Sequence, residues 1–389
     1  MKICCVVAEY NPLHNGHLRQ LDLIKQNIKA DLVAVILSGN FVQRGEGAIL
    51  NKYERARHAI KAGADVVFEL PAVFATQTAE IFASGAIKLI NSLPGEKVIC
   101  FGAECGDKKS LEKTARLMLN ESPEYKKILK SELKKGTSML KAREIALCKT
   151  VDDFDSSILT KPNNVLGIEY LKAIYKNGYD IEVEVIRRDG GDYNSEDLLA
   201  KNPSALAIRS AVKNGNKEQV KNALPSFVYE SLPNSLPSFD REIIYSLLTL
   251  TKKELALISD CSEGLENRIK ALSKEYFSLD SLIENLKTKR YTEARLKRIL
   301  LSSMLKIDKK TVKLALKSDL YLKVLAIKKE KSQYLSYLSS AKYPLLTRKS
   351  DVLNLTPTAL KVFEKDVYCN DVYSAVTSEK TNEFYMIIE

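Results

Sequence analysis

What the chain lacks narrows its class before any motif is read. No stretch approaches the ~20 consecutive apolar residues that a membrane-crossing helix needs. The apolar run Ile3 to Ala8 ends at Glu9, too soon for a secretory signal. A cytoplasmic protein without membrane contact is expected. The seven cysteines (4, 5, 100, 105, 148, 261 and 369) are odd in number, contain no CxxC pair and lie mostly among apolar neighbours, so buried thiols are expected in place of disulfides or a zinc site. No carboxylate cluster shows metal-ligand spacing, and histidine occurs only three times. What is present describes a folded chain: 389 residues, 45% apolar and 28% charged, suffice for a large core divided between two domains and argue against disordered or fibrous classes.

The net charge of +11 is unevenly placed. Lys287 to Lys349 holds 18 Lys+Arg against 4 Asp+Glu, a net of +14, whereas the rest of the chain carries 42 basic against 45 acidic groups. The same segment contains Tyr291, Tyr321, Tyr334, Tyr337 and Tyr343. Basic groups with interleaved aromatics suit a surface that contacts phosphates and stacks on unpaired bases; the bland alternative is a solvated helical face.

Lys2 to Ala8 reads as a buried strand, followed by a turn at Asn11-Pro12 and a helix from about Asn15 to Ile28 with Leu18, Leu21 and Ile24 on its apolar side. Further apolar runs at Leu32 to Leu37, Val66 to Leu70, Val98 to Gly102 and Ile181 to Ile186 alternate with helical stretches such as Asn51 to Lys61 and Thr76 to Ile90. The alternation predicts an α/β fold with a parallel sheet covered on both faces. Pro225, Pro233 and Pro237 mark a boundary, so residues 1–225 are expected to form the catalytic domain and 226–389 a mostly α-helical, basic domain.

In open parallel sheets, ligands bind beyond the carboxyl ends of strands, where helix N-termini offer free N–H groups to phosphates. His14-Asn15-Gly16-His17 falls at the first such junction and holds two of the three histidines. Gly16 predicts close approach of backbone and phosphate, and the two rings, three residues apart, predict N–H groups aimed at one anion. His58, within the amphipathic stretch Ala56 to Ala62, reads as structural.

These residues resemble the HxGH nucleotidyltransferases, with their Rossmann-like domain, and more closely the tRNA(Met) cytidine acetate ligase family. The likeness rests on Val7-Ala8-Glu9-Tyr10-Asn11-Pro12-Leu13-His14-Asn15-Gly16-His17-Leu18, Ser38-Gly39-Asn40-Phe41-Val42-Gln43-Arg44-Gly45-Glu46, Phe101-Gly102-Ala103-Glu104, Lys161 to Tyr170 and Lys289-Arg290-Tyr291-Thr292, in one order along the chain. It implies activation of acetate by ATP, with Mg2+ as the usual companion, and transfer of the acetyl group to the N4 amine of the wobble cytidine of elongator tRNA(Met). His14 and His17 are then catalytic. Val7, Ala8, Glu9, Tyr10, Asn11, Pro12, Asn15, Gly16, Gly102, Asn163, Arg187 and Arg188 are expected to surround ATP.

The physical readings of these positions run in parallel. Gly102 at a strand's carboxyl end leaves room for a nucleotide ring or ribose. Asn163 and Asn164 suit helix capping as well as nucleotide contact. Arg187 and Arg188 fall at the carboxyl rim, where a triphosphate would lie. Gly39, Asn40, Gln43 and Arg44 read as a polar loop over the site. The superfamily's second signature survives only as Pro203-Ser204-Ala205-Leu206-Ala207-Ile208-Arg209, with Leu206 in place of a threonine; Ser204 is expected to cap a helix and Arg209 to meet a phosphate. If Tyr291 to Met304 is a helix, Leu296, Ile299 and Leu300 face inward, leaving Arg295 and Arg298, with Lys289 and Arg290, for tRNA phosphates. Two other readings compete: an adenylyltransferase of the same fold acting on a cofactor precursor, and a non-catalytic RNA-binding protein.

Overall fold

The computed structural model describes residues 1–188 and 203–389. The first apolar run forms strand β1 (Lys2–Ala8). Strands flank it on both sides and helices cover both faces, so alternate residues enter two cores: Ile3 and Cys5 pack into one, Cys4 and Val6 into the other. The remaining strands are β2 (Leu32–Ser38), β3 (Phe41–Val42), β4 (Glu46–Gly47), β5 (Val66–Leu70), β6 (Glu96–Ala103), β7 (Glu182–Arg187), β8 (Leu322–Ile327), β9 (Leu345–Leu346) and β10 (Ile387–Ile388). Among the described residues the main sheet has the order β10-β8-β5-β2-β1-β6-β7, with β9 beside β8, while β3 and β4 form a separate hairpin.

Strands β5, β2, β1, β6 and β7 are mutually parallel, as the sequence predicts. The chain steps outward from β1 to β2 and β5, then returns to β6 on the other side of β1. Strand order therefore reverses between β1 and β6, and the crevice beyond their carboxyl ends is the place where such sheets hold ligands.

Two features depart from the sequence reading. The helical stretch expected from Thr76 to Ile90 is two helices, Ala72–Ala75 and Ala79–Ser92, because Thr76 and Gln77 turn back to close the first on itself. The mainly helical texture beyond residue 226 is interrupted by β8, which runs antiparallel beside β5, with β10 at its outer edge. The basic segment thus supplies a core strand, although β8 contains Lys323.

That lysine is tolerated because it is paired. Lys323 Nζ lies 2.9 Å from Glu69 Oε2 on β5 and contacts Glu383, while Lys52 Nζ lies 2.9 Å from Glu69 Oε1 and 2.7 Å from Glu383 Oε1. All four groups are buried. Burial alone would lower the Lys52 pKa, but Glu383 and Glu69 more than reverse this and hold the ammonium charged. The seven cysteines are free thiols, five of them buried as expected, with Cys105 half-buried and Cys148 exposed. No helix of the described residues is long and apolar enough to cross a membrane.

Candidate active site

The helix Asn15–Asn27 begins where β1 ends, and its N-terminus is closed by the two histidines themselves. His14 is the N-cap; its Nδ1 accepts the Gly16 N–H at 3.1 Å, and His17 Nδ1 accepts the His14 N–H at 3.3 Å. This reciprocal pattern is a capping box built from imidazoles. It has a chemical consequence, since an Nδ1 that accepts a backbone proton leaves the ring proton on Nε2. The rings stack at 3.8 Å between centroids. Burial, with Arg188 nearby, lowers the His14 pKa to about 3, and burial, His14 and Arg188 hold His17 well below its usual value. Both are neutral imidazoles with one N–H each to donate. Gly16 is required by this packing: a Cβ there would lie 2.9 Å from His14 Cε1. Tyr10, in the tight bend between strand and helix, adopts a strained φ of 45° and sets its ring edge-on to His17 at 4.9 Å.

One wall of the crevice comes from the ends of β6 and β7. Arg187 closes β7, and Arg188 binds back through its N–H to Ala103 O at 3.0 Å. A Cβ on Gly102 would lie 2.9 Å from Arg188 Cγ, so this glycine makes room for the arginine stem. Neither Asn163 nor Asn164 caps the helix Pro162–Asn177. Glu104 does, accepting the backbone N–H groups of Asn163 at 3.2 Å and Asn164 at 2.9 Å. Asn163 instead bridges, donating Nδ2 to Glu104 and accepting from Arg188 Nη1 at 3.1 Å. Asn164 Oδ1 accepts the Cys105 N–H.

The opposite wall comes from the hairpin β3–β4 and the bend after β1. Gln43 and Arg44 line the crevice with Glu9, Tyr10 and Asn11. Gln43 N–H donates to Glu9 Oε1 at 2.8 Å; burial raises the Glu9 pKa, and that hydrogen bond only partly offsets it. Ser204 caps the helix Ala205–Lys213 through Ala207 N–H, as expected, and Leu206 faces the crevice. Arg209 is buried, donating to Asn11 O at 2.7 Å and pairing with Glu46 at 2.8 Å. Gly39 and Asn40, read as part of the polar loop, are not among the lining residues. Asn40 is buried between Asn370 and the Lys52 N–H, and a Cβ on Gly39 would lie 2.6 Å from Glu69 Oε1. Pro12 and Asn15 also lie outside the lining; Asn15 Nδ2 donates to Asn222 O at 2.9 Å.

Sequence reasoning missed the roles of five residues: Arg55, Glu104, Phe82, Leu166 and Tyr170. Arg55, fully buried, donates to the carbonyl oxygens of Glu9, Ser38, Gly39 and Leu50, tying the ends of β1 and β2 together. Glu104, Leu166 and Tyr170 were visible only as parts of motifs; Leu166 and Tyr170, with Phe82, add apolar lining from helices. His58 is structural, as read: it is buried, and its Nε2 meets Ser231 Oγ at 3.0 Å.

In the basic segment the expected helix is present as Glu293–Leu305, with Leu296, Ile299 and Leu300 buried. Its arginines are less free than the helical pattern suggests. Arg295 Nε lies 3.3 Å and Arg298 Nη2 3.8 Å from Asp260, with side chains only 20% and 17% exposed. Lys289 is exposed, and Arg290 pairs at the surface with Glu263 at 3.1 Å. The helix abuts the site: a Cβ on Gly45, in the β3–β4 turn, would lie 2.5 Å from the backbone of Lys297 and Arg298.

Neutral donors at a helix N-terminus, at the reversal point of a parallel sheet and facing two arginines, define an α/β nucleotide-binding protein of the nucleotidyl-transfer class. Residues 1–385 match the family described as HIGH Nucleotidyl Transferase, and the chain belongs to that family. Among its curated relatives is the tRNA(Met) cytidine acetate ligase of Caldanaerobacter subterraneus subsp. tengcongensis, 40% identical over 96% of this chain and 95% of that one. Another, from Clostridium perfringens, bears the same name at 36% identity over 100% and 98% of the two chains. Of solved structures, apo Thermotoga maritima TmcAL matches with a TM-score of 0.92 at 31% identity, and TmcAL bound with alpha-thio ATP with a TM-score of 0.90, each over both full chains.

Proposed function

We propose that this chain is an ATP-dependent tRNA(Met) cytidine acetate ligase acting in the cytoplasm. The observation that carries the reading is the imidazole capping box, which presents two neutral Nε2–H donors where a nucleotide's α-phosphate would meet the helix N-terminus. In the first step an acetate oxygen bonds to the α-phosphorus while the bond to the β-phosphate oxygen breaks, and pyrophosphate leaves with the electron pair. His14, His17 and the helix N-terminus stabilise the charge on the α-phosphoryl oxygens, and Arg187 and Arg188 that on the departing phosphates. In the second, the N4 amine of an unstacked wobble cytidine attacks the acetyl carbonyl, AMP departs and the amine loses a proton.

The donor set fits ATP. For Mg2+ the fit is through the nucleotide: Glu9 is engaged by Gln43 and Glu46 by Arg209, and no cluster of metal-ligating side chains exists among the described residues. An accompanying Mg2+ would be held chiefly by phosphate oxygens and water. The basic segment, seated beside the hairpin of the crevice, is the proposed tRNA-contacting part.

The test is ATP–pyrophosphate exchange with acetate, followed by acetyl transfer to tRNA(Met). Acetate-dependent exchange without tRNA, and a modified wobble cytidine with it, are expected. Exchange driven by another substrate class would identify an adenylyltransferase, and RNA binding without exchange a non-catalytic protein.

A further inference from the structure

The hairpin wall of the crevice holds buried donors that nothing among the described residues satisfies. Asn11 is 2% exposed; its Oδ1 accepts the Ile49 N–H at 2.8 Å, and its Nδ2 is buried with no partner. Gln43 spends its backbone N–H on Glu9, while its side-chain Nε2 is likewise buried and unpartnered. The Tyr10 hydroxyl is in the same condition, and all three residues line the crevice. Buried donors left unmade are costly. Two carboxamides with this defect on one wall call for an acceptor that arrives from outside.

Charge decides which acceptor. This wall is near balance, with Arg44 and Arg209 against Glu9 and Glu46; Arg209 Nη2 is held by Glu46 at 2.8 Å, and the donors left over are two amides and a hydroxyl, all neutral. Arg187 and Arg188 stand on the other wall, at the end of β7, with no carboxylate paired to them among the described residues that line the crevice. A polyanionic triphosphate is favoured beside guanidinium groups, whereas a single small negative charge suits neutral donors.

The geometry points to Gln43 Nε2 and Asn11 Nδ2 as the seat of the acetate carboxylate, across the crevice from Arg187 and Arg188 with the histidine pair between. The assignment rests on the acetate-activation reading above. It makes Gln43 and Asn11 the residues that select a small monocarboxylate, and it turns one carboxylate oxygen toward the α-phosphorus. No proton moves in that step.

Gln43→Glu and Asn11→Asp test the assignment, because each keeps its shape and replaces a donor by an acceptor. Asn11→Asp also preserves the acceptor for Ile49 N–H. Gln43→Leu removes the donor without adding charge. In acetate-dependent exchange the KM for acetate should rise on the order of 10- to 100-fold in each variant, as expected for a lost charge-assisted hydrogen bond. In the two Gln43 variants the ATP Kd from equilibrium dialysis should stay near wild type, which also reports that they fold. An unchanged acetate KM, or an ATP Kd that rises while the acetate KM holds, would overturn the subsite. Absence of exchange in the wild type would instead overturn the activation reading on which it rests.

Discussion

The crevice and the basic segment teach opposite lessons about charge. In the crevice, two groups that carry charge in many proteins are held neutral: His14 is buried and His17 half-buried, their Nδ1 atoms are occupied by backbone N–H groups, and each ring is left with an N–H to donate. In the basic segment a dense run of cations looks like one surface in sequence, yet the fold distributes it. Lys323 is in the core with Glu69 and Glu383, and Arg295 and Arg298 lie against Asp260. A motif at a strand-to-helix junction carries its geometry with it. A count of lysines and arginines does not.

The largest expected effect comes from treating Lys323 as the core residue it is. Lys323→Met leaves Glu69 and Glu383 sharing Lys52 alone, and breaking a buried ion-pair group from one side costs about 3–5 kcal/mol. Urea denaturation should show a loss of that size. A stable Lys323→Met protein with weakened tRNA binding would put this lysine back on the RNA surface and break the comparison.

Next comes a test of neutral donation. His14→Asn retains an N-cap acceptor, and His17→Gln retains a side chain able to reach the N-cap N–H, so both keep the capping pattern while losing the ring Nε2–H. Each should cost roughly 10²–10³ in acetate-dependent exchange, the usual penalty for one transition-state donor, with helix content unchanged. Near wild-type exchange in a folded His17→Gln protein would show that capping is the pair's whole role.

These two regions also explain what the sequence disclosed. The parallel strands were legible because each buried run was bounded by turn residues, and His14 and His17 because only one junction offered such a pair. Three things escaped. Strand β8 was hidden because its lysine is neutralised by glutamates more than two hundred residues before it and sixty after it. Glu104 was hidden because the helix it caps begins beyond three intervening α-helices. The pairing of Arg295 and Arg298 with Asp260 depends on how a turn around Asp260 meets the helix, which periodicity along that helix does not encode.

A smaller effect follows from pH. The folded His14 pKa, about 3, lies below the usual 6.5, so the unfolded chain takes up the proton first and stability falls as pH drops below 6.5. At pH 5.5 this costs the nucleotide-free protein about 1.4 kcal/mol through His14. Asp366, raised to about 7 by burial and Glu69, acts with opposite sign in the same range. It is common to both proteins when wild type is compared with His14→Asn, so the difference isolates the histidine. Urea midpoints at pH 7.5 and 5.5 should converge by about that amount in the variant; parallel pH profiles would mean that His14 is not held neutral.

The smallest effect separates the exposed from the packed cations of the basic segment. Lys289 and Arg290 stand at the surface, whereas Arg295 and Arg298 are largely covered and face Asp260. If exposure governs phosphate contact, each of Lys289→Glu and Arg290→Glu should lower the slope of log tRNA affinity against log salt by about one. Arg295→Gln and Arg298→Gln should change the slope less and the unfolding midpoint more, since each leaves Asp260 with one cation fewer in a partly buried site. Acetate-dependent exchange without tRNA should remain near wild type in all four, because none of them lines the crevice. Equal slope changes across the four variants would mean that tRNA draws Arg295 and Arg298 away from Asp260, and that the linear run of charge is one surface after all.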